Sequence, residues 1–280
     1  MLALCAVPAF AQDAAQQAAE AEREDAAREL RAPRSFDFRP WKKNYFISSW
    51  DLRGEDSKPE AKFQVSLRSR LADWGPAGDQ WSVDFAYTGL ALWDLFSTDS
   101  GDAYFPADHS PEVFLETPVL REHWLLRFSP FQHQSNGERD ALSRSWNRWY
   151  VEAIWHSHVD IDTPRFFFDP EVGSGWRVGL KVWDGYSIES QNTDIEDYYG
   201  NVEVTADLYS NSWARSVLSL AYRDSSLTSD DSRHTLRVEY GLDLTEDVRL
   251  SLHWFSGYGD YLLRYNEHVQ RIGIGIEIAP

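Results

Sequence analysis

Apolar and polar residues alternate with a period of two along most of this chain from Asn44 onward. That period belongs to β-strands, whose successive side chains point to opposite faces. In 81–93, Trp81, Val83, Phe85, Tyr87, Gly89, Ala91 and Trp93 share one face, while Ser82, Asp84, Ala86 and Thr88 share the other. Such segments recur at 44–52, 62–71, 81–93, 113–117, 122–134, 145–155, 176–184, 201–209, 213–222, 234–240, 248–255 and 268–278, twelve in all. Polar turns such as 99–108, 190–197 and 224–233 separate them. This is the spacing of an antiparallel meander, and twelve is an allowed even number for a closed membrane barrel.

A soluble sandwich would bury the same alternating faces, so composition has to decide. The 280 residues include 13 Trp, 13 Tyr and 15 Phe, more aromatics than a soluble core needs. Many stand near strand ends, where a membrane barrel places its interfacial girdles. Mean hydropathy is −0.51, and no apolar run approaches the ~18 residues of a membrane helix. An alternating barrel averages out polar in this way. Acidic residues outnumber basic ones 45 to 27, for a net charge of −18, which excludes nucleic acid as a partner because phosphate contacts need Lys and Arg.

The expectation is therefore all-β: a twelve-stranded antiparallel transmembrane β-barrel over 41–280, with a short polar N-terminal extension. Residues 12–40 form that extension on the periplasmic side, rich in Ala, Glu and Arg and without an apolar stripe. Residues 1–11 resemble the apolar half of a secretory signal peptide, with Ala9-Phe10-Ala11 as the cleavage site. Cys5 is the single cysteine, so a disulfide framework is ruled out.

The stretch with the most chemistry is 131–150, F-Q-H-Q-S-N-G-E-R-D-A-L-S-R-S-W-N-R-W-Y. His133 and Ser135 are two apart, so on a strand they stand on one face. Asn147 follows across a polar loop, on what reads as the returning strand of a hairpin. A nucleophile, a base and an amide able to orient the base thus fall within one supersecondary unit. The loop offers Glu138, Asp140, Ser143 and Ser145 as oxygen donors for a hard cation, though not at EF-hand spacing. On the returning strand Trp149, Val151, Ala153 and Trp155 share the parity of Asn147, whereas Arg148 and Glu152 have the other. Polar residues suit a barrel lumen, so Asn147 faces lipid, opposite or diagonal to His133 if the hairpin is unbulged. A catalytic set on the lipid face suits an enzyme whose substrate is the bilayer.

The motifs H-Q-S-N-G at 133–137 and S-R-S-W-N-R at 143–148 resemble those of outer membrane phospholipase A, a bacterial calcium-dependent family. N-Y at 44–45, K-F-Q-V-S-L at 62–67, Y-T-G at 87–89, S-G-Y-G at 256–259 and R-I-G-I-G-I-E-I at 271–278 extend the likeness over nearly all of the chain from Pro40. The resemblance implies hydrolysis of acyl esters in membrane phospholipids and lysophospholipids, with phospholipase A1 and A2 character, in the outer membrane of a Gram-negative-type bacterium. It implies Ser135 as nucleophile, His133 as general base, Asn147 as the residue orienting the imidazole, and the Gly137 backbone N–H as an oxyanion donor. It further implies Ca2+ held by the Ser143 hydroxyl and the Glu138 backbone carbonyl, with Asp140 adding outer-shell charge. An active homodimer would place a carbonyl of the partner loop, here near Gly101, on the same ion. Gly89 stands where a glutamine of the dimer face is expected, and the lost hydrogen bond would weaken association by about 1 kcal/mol.

Rival readings are a non-enzymatic pore or structural barrel, and a soluble lipid-binding β protein. His109, His123, His156, His158, His234, His253 and His268 show no metal-ligand clustering in sequence. The pairs Asp160/Asp162 and Asp230/Asp231 read as solvated loops, and Gly273-x-Gly275 as a small-residue strand rather than a dinucleotide motif.

Overall fold

The computed structural model describes residues 38–53, 58–76, 80–94, 107–121, 123–157, 174–210, 215–225 and 233–278. The expected signal peptide, the extension up to Asp37 and Gly101 lie outside them. The strands are β1 (Phe38–Pro40), β2 (Asn44–Asp51), β3 (Glu60–Trp74), β4 (Trp81–Asp94), β5 (Asp108–Glu116), β6 (Trp124–Ser135) and β7 (Ser145–His156). They continue as β8 (Gly175–Tyr186), β9 (Val202–Ser210), β10 (Ser216–Asp224), β11 (His234–Asp243), β12 (Val248–Gly257) and β13 (Val269–Ile278). From β2 onward each strand pairs antiparallel with its neighbours in sequence, and β13 returns to β2, so the sheet closes on itself. β1 and β2 both pair with β3 and form one interrupted stave, which makes a barrel of twelve.

The interruption has a cause in the sequence. Pro40 ends β1, and the register slips by two residues between the β1–β3 and β2–β3 pairings. Ser66 of β3 absorbs the slip. Its backbone N–H donates to Asn44 Oδ1 (2.6 Å), its carbonyl accepts from Asn44 Nδ2 (3.2 Å), and its hydroxyl accepts from the Lys42 N–H (3.1 Å). The extra residues turn Trp41 into the lumen, where its ring stacks on Phe114 (4.6 Å between centroids) and its N–H donates to Glu112 (2.8 Å). The first stave therefore starts at Phe38, three residues ahead of the expected boundary.

The alternation sorts the two faces as expected. Val65, Phe128, Trp149, Leu180, Leu208 and Ile274 look outward and are exposed, while Arg68, Glu112, Glu116, Arg127, Glu239 and Arg249 look inward and are buried. These inward charges are paired, as where Arg127 bonds Glu116 (2.5 Å) and Glu152 (3.1 Å), and Arg249 bonds Asp243 (2.6 Å) and Glu277 (3.1 Å). A buried charge is tolerable only with such partners. With backbone groups satisfied around a closed sheet and apolar side chains outside, this is a membrane-spanning barrel.

Three local features depart from the periodic reading. β5 begins at Asp108, five residues before the expected 113, because Pro111 and the polar pair His109-Ser110 hide its alternation. A bulge in β6 around Pro130 shifts its register against β5, between Val113 and Leu115, and against β7, where a proline cannot donate to the ladder. The expected turn 190–197 instead folds into a 3₁₀ turn (Ser190–Asn192) and a short helix, α1 (Ile195–Tyr199). Behind β7, Trp146, Tyr150 and Trp183 pack with Ile195 and Tyr199 of this segment and with Leu262 and Tyr265 of the last loop, forming the principal apolar cluster inside the barrel.

Candidate active site

The hairpin β6–β7 carries the sequence-predicted set, and the structure brings its members together on the outer face. His133 and Asn147 are direct cross-strand partners, and His133 Nδ1 lies 2.8 Å from Asn147 Oδ1. An amide oxygen has no hydrogen to give, so Nδ1 carries the proton and Nε2 keeps its lone pair. That tautomer is the one a general base needs. Ser135 stands two residues along on the same row, opposite Ser145 of β7. Among the described residues no hydrogen bond joins Ser135 to His133, a looseness common in resting sites. Exposed Phe131 and Trp149 flank the pair and offer apolar surface for acyl chains.

The opposite face of the hairpin is tied to the barrel interior. Gln134 and Trp146 are cross-strand partners pointing inward. Trp146 Nε1 donates to Gln134 Oε1 (3.1 Å), and Gln134 Nε2 donates to the Tyr199 hydroxyl (3.3 Å). The register that seats this buried contact also sets His133 against Asn147 on the other side.

Loop 136–144 hangs on one side chain. Asn136, 3% exposed, accepts at Oδ1 from the Glu138 and Arg144 N–H groups (3.3 and 3.0 Å) and donates from Nδ2 to the Leu142 carbonyl (2.8 Å). Gly137 (φ 69°) and Asp140 (φ 53°) take left-handed conformations on either side of the bend. Ser143 donates its hydroxyl to both carboxylate oxygens of Glu189, at 2.9 and 2.8 Å. The Glu189 N–H in turn donates to the Ser145 carbonyl (3.1 Å), and fully buried Asn192 brackets Ser145 with two further bonds. The loop after β8 is thus docked onto the start of β7.

Ser143, Glu138 and Asp140 therefore lie on one pinned loop, and Gly101 lies outside the described residues. Among the described residues no group of three or more His, Cys, Asp or Glu could hold a metal ion. The donor set that does assemble, a hydroxyl oxygen against a carboxylate, is hard and all-oxygen, which fits Ca2+ and not a soft metal. Sequence reasoning missed Glu189, which sits in a featureless polar run. Asn136 lies within the H-Q-S-N-G motif, and its role as the loop's anchor shows only in the folded structure. His109 has no sequence signal for the site, yet it stands directly opposite Ser135 on β5.

The large cavity is elsewhere. About 470 Å3 lies in the lumen, lined by Lys42, Lys43, Arg148, Lys181, Glu203 and Glu239. It reaches Gln132 and Gln134 but neither His133 nor Ser135, which project from the other side of the wall. Contacts also bridge the lumen, including Lys43 to Glu239 (2.5 Å) and the Leu262 N–H to Asp108 (2.8 Å).

The sequence pattern of the phospholipase A1 family matches residues 22–278. Phospholipase A1 of Klebsiella pneumoniae is 28% identical over 305 aligned positions, covering 99% of this chain and 96% of that protein. The Escherichia coli (strain K12) protein of the same name is 28% identical over 243, covering 82% and 73%. The crystal structure of the Salmonella typhi outer membrane phospholipase dimer with bound calcium has a TM-score of 0.69 at 24% identity, over 88% of this chain and 93% of that one. Outer membrane phospholipase A from Escherichia coli gives 0.69 at 23%, over 89% and 93%. At such identity these structures speak for the barrel fold.

Proposed function

Because the chain belongs to the phospholipase A1 family, we propose that its lipid-facing hairpin hydrolyses phospholipid acyl esters through a Ser135–His133–Asn147 set. The protein is a phospholipid-hydrolysing esterase of the outer membrane, a multi-pass β-barrel. The observation that carries the finer reading is the Asn147 Oδ1 to His133 Nδ1 bond on the outer face.

In this reading His133 Nε2 takes the Ser135 hydroxyl proton as Oγ attacks the ester carbonyl. The carbonyl electron pair moves onto oxygen, where the Gly137 N–H donates a hydrogen bond to the developing oxyanion. Collapse breaks the bond to the glycerol or lysophospholipid oxygen, which leaves with the proton from His133. Water, deprotonated by His133, then releases the fatty acid and restores Ser135. Asn147 holds the imidazole without lending it negative charge, so the imidazolium is less stabilised than beside a carboxylate.

Calcium would be held by the Ser143 hydroxyl, the Glu138 carbonyl and, on the geometry here, the Glu189 carboxylate, with Asp140 outside them. Bound there, it supplies positive charge beside the oxyanion. An active homodimer, with a carbonyl near Gly101 of the second copy completing the ion's shell, would explain how a site always in contact with lipid stays controlled.

The test is fatty-acid release from phospholipid–detergent micelles by refolded protein, with calcium or with chelator, for wild type and Ser135→Ala. Release requiring both calcium and Ser135 is the expected result. No release from a folded, crosslinkable dimer would leave a pore or structural barrel, which planar-bilayer conductance would then detect. For the dimer, specific activity should fall on dilution in step with the crosslinked fraction. Activity that stays linear where crosslinking finds monomer alone would sink it.

A further inference from the structure

One outward histidine is unexplained by the triad. His109 of β5 is the Cα partner of Ser135 on one side and of Gly89 on the other, so Gly89, His109, Ser135 and Ser145 form one rung across four strands. It is exposed on a face otherwise given to lipid, where an ionisable side chain is costly unless it has work to do. Its Nδ1 lies 2.6 Å from the Tyr87 hydroxyl. Its other edge faces the loop: a Cβ placed on Gly137 would stand 3.9 Å from His109 Cδ2 and 4.0 Å from Nε2. The same construction on Gly89 meets the Tyr87 hydroxyl at 3.1 Å, so the bare glycine gives that hydroxyl its room.

We propose that His109, held by Tyr87, is a further catalytic residue whose Nε2–H donates to the ester oxyanion beside the Gly137 N–H. The proposal rests on the acyl-ester reading of Ser135. In this assignment the Tyr87 hydroxyl is the donor to Nδ1, and the single ring proton then sits on Nε2. That N–H lies on the Gly137 side of Ser135, where the carbonyl electron pair collects as Oγ bonds to carbon. His109 neither gains nor loses a proton in the cycle; His133 alone moves it. Tyr87 is the positioning residue, and Gly89 is the small residue that admits it. In this chain the rung spends its Gly89 position on the site.

The experiment is steady-state fatty-acid release with calcium present for wild type, His109→Phe, His109→Gln and Tyr87→Phe, each first shown to be a heat-modifiable, folded barrel. Phe keeps a ring on the lipid face without a donor; Gln keeps an N–H donor without a ring. A donor acting only in the transition state lowers kcat and kcat/KM together. His109→Phe should lose about tenfold in kcat with KM within about twofold, short of the roughly 10²–10³ lost for a fully enclosed oxyanion donor. His109→Gln should recover most of that loss, and Tyr87→Phe should fall between. Unchanged turnover in His109→Phe, a rise in KM alone, or a Gln variant as poor as Phe would each overturn the proposal while leaving the triad standing. A wild type that releases no fatty acid would sink the acyl-ester reading and this inference with it.

Discussion

At the scale of single residues, the site is organised by which atom lacks a hydrogen. Asn147 can only accept at Oδ1, and that fixes the His133 tautomer. General-base catalysis is worth roughly 10²–10⁴-fold, so Asn147→Ala, which keeps the base but frees its ring, should cost about 10- to 100-fold in kcat. Asn147→Asp restores an acceptor and should recover most of it; equal loss in both variants would mean that Asn147 serves the hairpin and not the imidazole. Asp140 presents the opposite problem, because its backbone and its charge both have a claim on it. Its φ of 53° is one that Asp and Asn tolerate and β-branched residues do not. Asp140→Asn keeps the backbone and removes the charge, and it should raise the calcium concentration for half-maximal activity a few-fold. Asp140→Val adds backbone strain of about 1–3 kcal/mol and should lower maximal activity as well. If Asn matches wild type while Val fails, the residue matters for the turn alone.

At the scale of elements, the hairpin β6–β7 works because its two faces are coupled. The Gln134–Trp146 contact inside and the His133–Asn147 contact outside share one register, and slipping it by one residue would exchange the faces. This much was legible in sequence, since parity alone put Asn147 outward and Arg148 inward. Not legible were elements whose reason is tertiary. The Trp41 kink depends on Ser66 and Glu112 far along the chain. The early start of β5 is masked by Pro111, and α1 is helical because Ile195 and Tyr199 pack under Trp146. Glu189 and His109 carried no local signal either; each gains its place from a neighbouring strand or loop. Loop 136–144 allows a direct test. Asn136→Ala removes three side-chain hydrogen bonds, each worth about 0.5–1.5 kcal/mol net. The loop should become a site of limited proteolysis in the intact barrel, with activity falling in parallel. Cleavage no faster than in wild type would show that the docked Glu189 and Asn192 loop holds it unaided.

At the scale of the molecule, the barrel solves opposite solvent problems on its two faces. The outer wall meets lipid, where apolar contact drives nothing, so stability has to come from the closed ladder and from the lumen. There, ion pairs tie distant staves. Lys62 of β3 bonds Asp260, which follows β12, while Arg271 of β13 reaches both Asp260 (3.1 Å) and Glu60. Burial would push the Asp260 carboxyl up, but Lys62 and Arg271 outweigh it and hold the group below the ordinary carboxylate range. A carboxyl whose folded pKa is depressed stabilises the fold fully above its unfolded value of about 4, and that contribution disappears as pH falls through the folded value. Asp260→Asn leaves two buried cations without their shared partner, a change that costs about 3–5 kcal/mol in comparable pairs. The variant should therefore unfold at lower temperature than wild type at pH ~7, read from the heat-modifiable band shift. The gap should narrow as pH falls below ~4, the unfolded value, and should be smaller at pH ~3 than at pH ~7. A gap of the same size at both pH values would mean that Asp260 holds the barrel by shape and hydrogen bonding, with its charge contributing nothing.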